Sequence, residues 1–249
     1  MQFKGTLYLP GDKSISHRAI MLSSIANGKS IIRNLNDGDD LQSTISVLKA
    51  CGAKINRINK TIEVEGVDLI SPNKELDCGN SGTTTRLVSG LLSSQRLNFT
   101  LIGDDSLSSR PMKRIIIPLQ KMGCNISSSN NVLPLSIDAK KGTYPIDYKV
   151  PVASAQVKSC ILLAALGADK PSTIQEDILT RNHTEIMLST MGASVSVQDK
   201  IITINPLNSK LSPIDITIPS DPSSAAFFAA LAVLNDDSEL TLNNVLLNK

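Results

Sequence analysis

Three stretches of the chain share one pattern of apolar and polar positions. They read LKACGAKI at 48–55, LQKMGCNI at 119–126 and LSTMGASV at 188–195. In each, an apolar helix end is followed by a glycine, a small residue and an extended apolar start. Gly52, Gly123 and Gly192 therefore mark helices that stop at glycine before a strand. Their regular separation predicts an internal repeat of about seventy residues.

Polar segments rich in small residues, typical of helix starts, form a second series with the same period. They are DKSISHR at 12–18, GNSGTTTR at 79–86, ASAQVKS at 153–159 and DPSSAAFF at 221–228. Helix-like and strand-like apolar patterns alternate between them, so each unit is predicted to be βαβαββ. The first unit has predicted helices at about 14–27 and 41–51, with AKINRI and TIEVEGV as a hairpin.

The later units follow the same plan, with predicted helices at 83–93, 111–122 and 155–166. A fourth unit begins at Asp221 and contains one helix and the strand ELTLNNV. A unit without its second helix cannot cover its own apolar surface, so we expect that the chain is unfinished.

Composition narrows the class of protein. The chain has 249 residues and 41% hydrophobic content, enough for one large or two modest domains. A net charge of +2 and 3% aromatic residues do not favour a nucleic-acid or membrane-surface partner. The sequence contains no apolar run of about 18 residues and no signal-peptide pattern. Four dispersed cysteines and two histidines indicate reduced thiols rather than a metal site. We expect a cytoplasmic α/β protein.

The segment DKSISHR combines features that favour the binding of an anion. A helix that begins near Ser14 has unpaired N–H groups carrying partial positive charge. Lys13 adds a point charge and Ser14 a hydroxyl, and Arg18 lies on the same face four residues later. An ordinary capped helix with solvated charges explains the segment equally well. His17 is interpreted as a packing or capping residue.

The second unit offers two further features of this kind. Glycines flank Asn-Ser in GNSGTTTR, which would let a ligand approach the backbone closely, although a tight turn is the simpler explanation. Arg86 is interpreted as solvated or structurally paired, outside the site. Arg110 precedes Pro111, a favoured first helical residue, and is predicted to lie at the cap of that helix.

The third unit completes the set. Ser154 and Gln156 are short hydrogen-bonding residues at a helix start, with Lys158 one turn later. Thr180 and Arg181 precede the next helix. Several such helix starts in repeated units predict a ligand with several negative groups.

Together these segments resemble the bacterial 5-enolpyruvylshikimate-3-phosphate synthases, in that family's order and spacing and over essentially the whole chain. The segments are LPGDKSISHRA, GNSGTTTRL, SLSSRPM, VASAQVKSCILLA, RNHTE and DPSSAAFFAA. The related UDP-N-acetylglucosamine enolpyruvyl transferases have asparagine after the first lysine and a loop cysteine nucleophile. Here Ser14 follows Lys13 and Cys124 lies in a predicted helix-to-strand turn, which disfavours that alternative. SAQVKS with RNHTE resembles the class often associated with glyphosate tolerance.

The resemblance implies a transferase of the shikimate pathway, in chorismate and aromatic amino-acid biosynthesis, and a glyphosate target. The family transfers the enolpyruvyl group of phosphoenolpyruvate to the 5-hydroxyl of shikimate 3-phosphate, without a metal or organic cofactor. The residues implied for shikimate 3-phosphate are Lys13, Ser14, Arg18, Ser154, Gln156 and Arg181. Those implied for phosphoenolpyruvate are Lys13, Asn80, Gly82, Arg110 and Gln156. Ala155 stands where some members have a second serine.

The implied fold is an α/β enolpyruvyl-transferase-like domain of three βαβαββ repeat units with inward-packed helices, plus the start of a fourth unit. Residues 12–219 would form the N-terminal substrate-binding domain, and 1–11 and 220–249 would belong to an incomplete C-terminal domain. A full-length monomer of about 420 residues would carry the catalytic Asp and Glu beyond Lys249. No catalytic residue is therefore assigned here, and the chain alone is expected to be inactive.

Two functions of other classes compete with this prediction. One is a self-standing module that binds phosphorylated anions without catalysis. The segment ELTLNNVLLNK argues against it because it begins a unit and is expected to have nothing to pair with. The other is a purely structural repeat protein, which the ligand-type residues at four motif positions disfavour.

Overall fold

The computed structural model describes residues 2–248 as eight helices and fourteen strands. The helices are α1 (Lys13–Ser23), α2 (Asp39–Ala50), α3 (Gly82–Ser94), α4 (Asp105–Ser108), α5 (Lys113–Lys121), α6 (Ala155–Ala165), α7 (His183–Thr190) and α8 (Pro222–Val233). The strands up to the second unit are β1 (Lys4–Tyr8), β2 (Lys29–Arg33), β3 (Lys54–Ile58), β4 (Thr61–Glu65), β5 (Leu76–Asp77), β6 (Asn98–Ile102), β7 (Asn125–Ser127) and β8 (Leu135–Asp138). The remainder are β9 (Asp147–Lys149), β10 (Ser172–Gln175), β11 (Val195–Gln198), β12 (Ile201–Ile204), β13 (Asp215–Thr217) and β14 (Glu239–Asn243).

Three four-stranded sheets have one topology. Their strand orders are β13-β2-β4-β3, β5-β6-β8-β7 and β9-β10-β12-β11. In each sheet the first strand is parallel to the second, and the other pairs are antiparallel. The predicted α/β repeat of three units is confirmed.

The first sheet takes its outer strand from the far end of the third unit. β13 follows the third unit in the chain and lies parallel to β2, with Asp215 opposite Ile31. The first unit is thus completed by a segment about 180 residues away in sequence, which also ties the three units into one body.

The two ends of the chain meet in a separate two-stranded sheet. β1 lies parallel to β14, with Lys4 opposite Glu239. The expectation that ELTLNNV has nothing to pair with is therefore wrong, because the N-terminal strand supplies its partner. α8 leaves large apolar side chains exposed, including Phe227 at 79% and Val233 at 86%. The assignment of these segments to a second domain stays a prediction.

The first helix of each unit is buried almost all round, whereas the second helix keeps an exposed face. Ile20 in α1, Leu91 in α3 and Ile161 in α6 are fully buried. α3 and α6 are in close contact at Gly90, where a β-carbon would lie 2.1 Å from the carbonyl oxygen of Cys160. The helices therefore pack inward, between the sheets, as predicted.

The helix ends follow the predicted glycine rule. Gly52, Gly123 and Gly192 each have a φ of +91°, a left-handed conformation that other residues adopt at a cost. The predicted start of the helix at 111–122 is wrong, however, because α5 begins at Lys113.

Arg110 accordingly does not cap α5. The Asp104 carboxylate caps the short helix α4 by accepting the Leu107 N–H at 2.7 Å. The Arg110 N–H donates to the Leu107 carbonyl at 3.0 Å and so ends that turn. The local hydrogen bonds of α4 outweigh the helix-start preference of Pro111.

Candidate functional site

The N-terminus of α1 is already occupied by carboxylates of the chain itself. Asp12 accepts the Ile15 N–H at 2.7 Å, and Asp221 accepts the Lys13 N–H at 3.2 Å. The prediction that the first N–H groups of this helix are unpaired is therefore wrong for two of them. An anion at this point must be held mainly by side chains.

Three cationic side chains surround Ser14, and we call Lys13, Arg18 and Arg181 the first cationic group. Arg18 donates from Nη1 to the Ser14 carbonyl at 2.8 Å, and Arg181 donates from Nη1 to the Ser14 hydroxyl at 3.3 Å. Lys13 is exposed and forms an ion pair with Asp40. Arg181 thus lies together with Lys13, Ser14 and Arg18, which were predicted from a different motif.

Arg18 is only 4% exposed, and its guanidinium is hydrogen-bonded on three sides. Besides the Ser14 carbonyl, its Nε donates to Thr184 Oγ1 at 2.6 Å and its Nη2 to Ser159 Oγ at 2.7 Å. Burial lowers the pKa of Arg18 to about 10, while the charge of Glu185 opposes this shift. Arg18 remains a cation at neutral pH, and its planar guanidinium is fixed before any ligand arrives.

Two further guanidiniums flank Gly82, and we call Arg86 and Arg110 the second cationic group. A β-carbon on Gly82 would lie 2.8 Å from Arg86 Nη1 and 3.6 Å from Arg110 Nη1. Arg110 donates from Nη2 to Asn80 Oδ1 at 2.5 Å, and Asn80 donates to Asp104 Oδ2 at 2.7 Å. The predicted Asn80, Gly82 and Arg110 are therefore adjacent.

Gln156 joins α6 to this second group. Its Oε1 accepts a hydrogen bond from Arg86 Nη1 at 2.7 Å, and its Nε2 donates to Thr83 Oγ1 at 3.0 Å. Ser154 caps the same helix by accepting the Val157 N–H at 3.4 Å. Within residues 2–248, the Ser154 hydroxyl contacts neither cationic group.

Arg86 is a residue beside the predicted site that the sequence interpretation places outside it. Of the two predicted alternatives, solvated or structurally paired, the structure agrees with the second, because Arg86 is partly buried against Gln156 and Gly82. Burial, followed by the nearby charges of Arg110 and Arg114, lowers the pKa of Arg86. The available signal was its spacing of four residues from Gly82, which matches the spacing of Arg18 from Ser14.

The second group forms no direct ion pair within the part of the chain that the structure describes. No carboxylate oxygen of residues 2–248 lies within 4.0 Å of the guanidinium of Arg86, Arg110 or Arg114. Asp104 reaches Arg110 only through Asn80. A backbone hydrogen bond is the main reason why the pKa of Asp104 is lowered, and the charge of Arg110 adds to this shift. Clustered cations with one indirect counter-ion repel one another and favour a bound anion.

A chain of hydroxyls connects the starts of α1, α2 and α3 through the interior. His17 Nδ1 lies 2.7 Å from Thr44 Oγ1, which lies 2.7 Å from Thr84 Oγ1. Thr84 also donates to the Asp40 carbonyl at 3.1 Å, next to the Lys13 ion pair. The starts of α1, α2 and α3 therefore lie side by side, and His17 is buried as predicted. Burial lowers the pKa of His17 to about 3.

None of the helices described is long and apolar enough to cross a membrane. Residues 2–248 contain no cluster of three or more histidine, cysteine, aspartate or glutamate side chains arranged to hold a metal ion.

Fold and site together define an α/β protein of repeated units with clustered cationic side chains at the starts of its inner helices. The family model described as EPSP synthase (3-phosphoshikimate 1-carboxyvinyltransferase) matches residues 1–249. The chain belongs to the EPSP synthase family. The resemblance read from the motifs is confirmed.

Named relatives agree. The chain is 44% identical over 249 residues to the 3-phosphoshikimate 1-carboxyvinyltransferase of Endomicrobium trichonymphae, covering 98% of this chain and 58% of that protein. It is 46% identical over 251 residues to the enzyme of the same name from Lactococcus lactis subsp. lactis (strain IL1403), covering 99% of this chain and 58% of that enzyme. The structure of EPSP synthase from Acinetobacter baumannii matches with a TM-score of 0.92 and 40% identity, over 99% of this chain and 57% of that one. The chain therefore spans about 58% of the length of these relatives.

Proposed function

We propose that this chain supplies the substrate-binding groups of a 3-phosphoshikimate 1-carboxyvinyltransferase. The proposed reaction joins the 5-hydroxyl oxygen of shikimate 3-phosphate to the enolpyruvyl carbon of phosphoenolpyruvate and releases inorganic phosphate. The observation that carries this proposal is the pair of cationic groups around Ser14 and Gly82, at neighbouring helix starts. Two phosphorylated anions need two such groups next to each other.

The first cationic group is proposed to bind shikimate 3-phosphate. A guanidinium has five N–H donors, and three hydrogen bonds from Arg18 to residues 2–248 leave two for the phosphate. Arg181 and Ser14 would contribute from the exposed side, and Ser154 and Gln156 from the start of α6. Because Arg18 is fixed in advance, little side-chain entropy is lost when the phosphate binds.

The second cationic group is proposed to bind phosphoenolpyruvate. Because Gly82 has no side chain, the guanidiniums of Arg86 and Arg110 approach the backbone there and both can contact one small anion. Asn80 and Gln156 add neutral amide groups beside them. Lys13 would have to share its ammonium between Asp40 and the ligands, or exchange one for the other. Glyphosate, an anion of similar size, is proposed to compete for this position.

Catalysis needs one proton removed from the 5-hydroxyl and another delivered to the methylene carbon of phosphoenolpyruvate, and a proton must leave that carbon again when phosphate departs and the double bond re-forms. We propose that these transfers use an Asp and a Glu in the part of the relatives that this chain does not cover. The proposed reaction uses no metal or organic cofactor. The family's biosynthetic role is the basis for proposing a cytoplasmic location, and a monomer is proposed for the full-length enzyme.

Complementation tests this function. The chain is mixed with both substrates, alone and with a separate polypeptide covering the remaining part of a relative; we call the second mixture the complemented preparation. We expect phosphate and enolpyruvyl product only in the complemented preparation. Robust turnover by the chain alone, after its mass has been verified, would show that a carboxylate within residues 1–249 transfers the protons.

The second candidate function is a module that binds phosphorylated anions without catalysis. The pairing of β1 with β14 favours it to the extent that both end segments have a partner within the chain. This function predicts calorimetric binding of shikimate 3-phosphate by the chain alone and no phosphate release in the complemented preparation.

A further inference from the structure

Lys158, Glu176 and Glu185 form a buried ionic network behind the first cationic group. Lys158 Nζ lies 2.8 Å from Glu176 Oε2 and 2.7 Å from Glu185 Oε1. The three side chains are 2%, 1% and 5% exposed. None of them belongs to the residues assigned above to a substrate.

The network holds the turn that carries Arg181. Glu176 directly follows β10, and α7 begins at His183, so the turn spans 176–182. Lys158 Nζ donates to the Thr180 carbonyl at 3.3 Å, and the Thr180 hydroxyl donates to Glu176 Oε1 at 2.5 Å. Thr180 is thus fixed through both its backbone and its side chain, one residue before Arg181.

Arg181 itself has little else to fix it. Its side chain is exposed, and its hydrogen bond to Ser14 is long, at 3.3 Å. Exposed long side chains held by one weak contact sample several rotamers. The position of the Arg181 guanidinium therefore depends chiefly on where the turn places its backbone.

The residues next to the network hold Arg18. Ser159 follows Lys158, and Thr184 precedes Glu185; their hydroxyls lie 2.7 Å apart, and both accept hydrogen bonds from Arg18. α6 and α7 are therefore joined twice by adjacent residues. The Lys158–Glu185 ion pair holds the turn, and the Ser159–Thr184 pair holds the guanidinium of Arg18.

The charges of the network also bear on an incoming anion. Glu176 and Glu185 are two buried carboxylates close to a site proposed for a phosphate, and Glu185 Oε2 has no hydrogen-bond partner among the described residues. Without Lys158 they would repel that phosphate through a medium of low dielectric constant. A buried ion pair adds little to the free energy of unfolding compared with an apolar replacement. Its presence here therefore indicates a role in positioning neighbouring residues.

We propose that Lys158 is a positioning residue for the anion site, which fixes the Thr180–Arg181 turn and offsets one of the two negative charges of the buried glutamates behind it. The proposal rests on the proposed function, since Arg181 is taken to contact shikimate 3-phosphate. It links SAQVKS and RNHTE physically, because Lys158 lies in the first segment and Glu185 in the second.

The test replaces the network by neutral side chains of similar size in Lys158→Met/Glu176→Gln/Glu185→Gln. Lys158→Met alone would leave two buried carboxylates unpaired and unfold the chain, whereas the triple variant removes every charge of the network. The matched control is Lys149→Met, because Lys149 pairs with Asp177 in the same turn but at the surface. Thr180→Val is a second variant, which keeps the charges and removes one hydrogen bond.

The first measurement is amide hydrogen exchange at Glu176 and Ile186 in the free protein, which needs no ligand. Their N–H groups donate to the Lys200 and Asn182 carbonyls at the two ends of the turn. We expect lower protection at both positions in the triple variant, a smaller decrease in Thr180→Val, and none in Lys149→Met. Protection at both positions that is unchanged in the triple variant, while the fold is intact, would overturn the proposal.

The second measurement is calorimetric affinity for shikimate 3-phosphate with and without Arg181→Ala in both backgrounds. Arg181→Ala should weaken binding about ten- to 150-fold in the parent and clearly less in the triple variant. Equal losses in both backgrounds would mean that Lys158 and Arg181 act independently, which overturns the proposal. These titrations use the complemented preparation, and a parent that does not bind shikimate 3-phosphate even there would refute the proposed function. Hydrogen exchange would then decide on positioning alone.

Discussion

Arg86 donates a hydrogen bond to Gln156, 70 residues further along the chain, with Nη1 2.7 Å from Oε1. This contact joins the starts of α3 and α6. Further along, the same two helices touch at Gly90. It fixes the amide orientation of Gln156, because the oxygen must face the guanidinium and the amide nitrogen must face Thr83. Arg86 therefore both adds charge beside Gly82 and orients a neutral donor next to it.

Arg86→Ala should weaken phosphoenolpyruvate or glyphosate binding by about 1.5–3 kcal/mol, the range for a charge-assisted hydrogen bond. Calorimetry on the complemented preparation would measure this loss. The matched control is Arg114→Ala, which removes the same charge from an exposed position on α5. Equal losses in the two variants would mean that long-range charge alone matters and that the contact with Gln156 does not.

Arg18→Ala and Arg18→Lys should both weaken shikimate 3-phosphate binding. A lysine keeps the charge but cannot reach Thr184, Ser159 and the Ser14 carbonyl together, since these three acceptors match the planar guanidinium. We expect a loss of about 1.5–3 kcal/mol for alanine and a smaller loss for lysine. Thermal melting without ligand separates fold damage from binding, and full affinity in Arg18→Lys with an intact fold would contradict a role for the planar group.

Much of the fold could be predicted because its signals are local and repeated. A glycine at the end of an apolar helix stripe needs only its neighbours to be recognised, and Gly52, Gly123 and Gly192 all behaved as predicted. The start predicted for the helix at 111–122 was wrong by two residues for an equally local reason. Asp104 capped an unrecognised short helix and took Arg110 into its last turn.

The candidate site was predicted only where a motif carries its own chemistry. Lys13, Ser14 and Arg18 lie in one segment, so their proximity follows from helical spacing. Gln156 with Arg86, and Lys158 with Glu176 and Glu185, are contacts between units that only the packing of α3, α6 and α7 creates. The sequence likewise contains no local sign that β13, from beyond the third unit, completes the first sheet.

Substitutions at two glycines of α3 should affect ligand binding and folding stability differently. A β-carbon at Gly82 would meet the flexible end of Arg86 at 2.8 Å, whereas one at Gly90 would meet the Cys160 carbonyl oxygen at 2.1 Å. Gly82→Ala should leave the unfolding free energy near that of the parent and weaken phosphoenolpyruvate binding by roughly 1–2 kcal/mol through overpacking of the site. Gly90→Ala should lower the unfolding free energy by at least about 1–3 kcal/mol because the helix backbones must separate.

Urea unfolding and calorimetry on both glycine variants would check this contrast. The expected pattern is a lower midpoint for Gly90→Ala and weaker ligand binding for Gly82→Ala. A large drop in stability for Gly82→Ala would show that Arg86 cannot move aside, and that the second cationic group is part of the folded core.

The buried His17 should make stability depend on pH in mildly acidic solution. Burial is the main reason why its pKa falls to about 3 in the folded chain, while an unfolded histidine titrates near 6.5. Between these values the unfolded state binds more protons, so the unfolding free energy falls as pH falls through 6.5 toward 3. Above about pH 7 this contribution disappears. For one such group the loss between pH 7 and pH 5 is about 2 kcal/mol.

Denaturant unfolding at pH 7, 6 and 5 would measure this dependence above the range in which most carboxylates titrate. His17→Asn keeps a polar atom near the position of Nδ1 for Thr44 and should remove the His17 share of the slope. The chain has two histidines, and burial also lowers the pKa of His183. His183→Asn therefore serves as the comparison, and it should retain the larger part of the pH dependence of the unfolding free energy. The double variant should be nearly flat from pH 7 to pH 5. A His17→Asn variant with the parent's full slope would mean that His17 is protonated in the folded chain, and that the hydroxyl chain from Thr44 to Thr84 is joined to a cation.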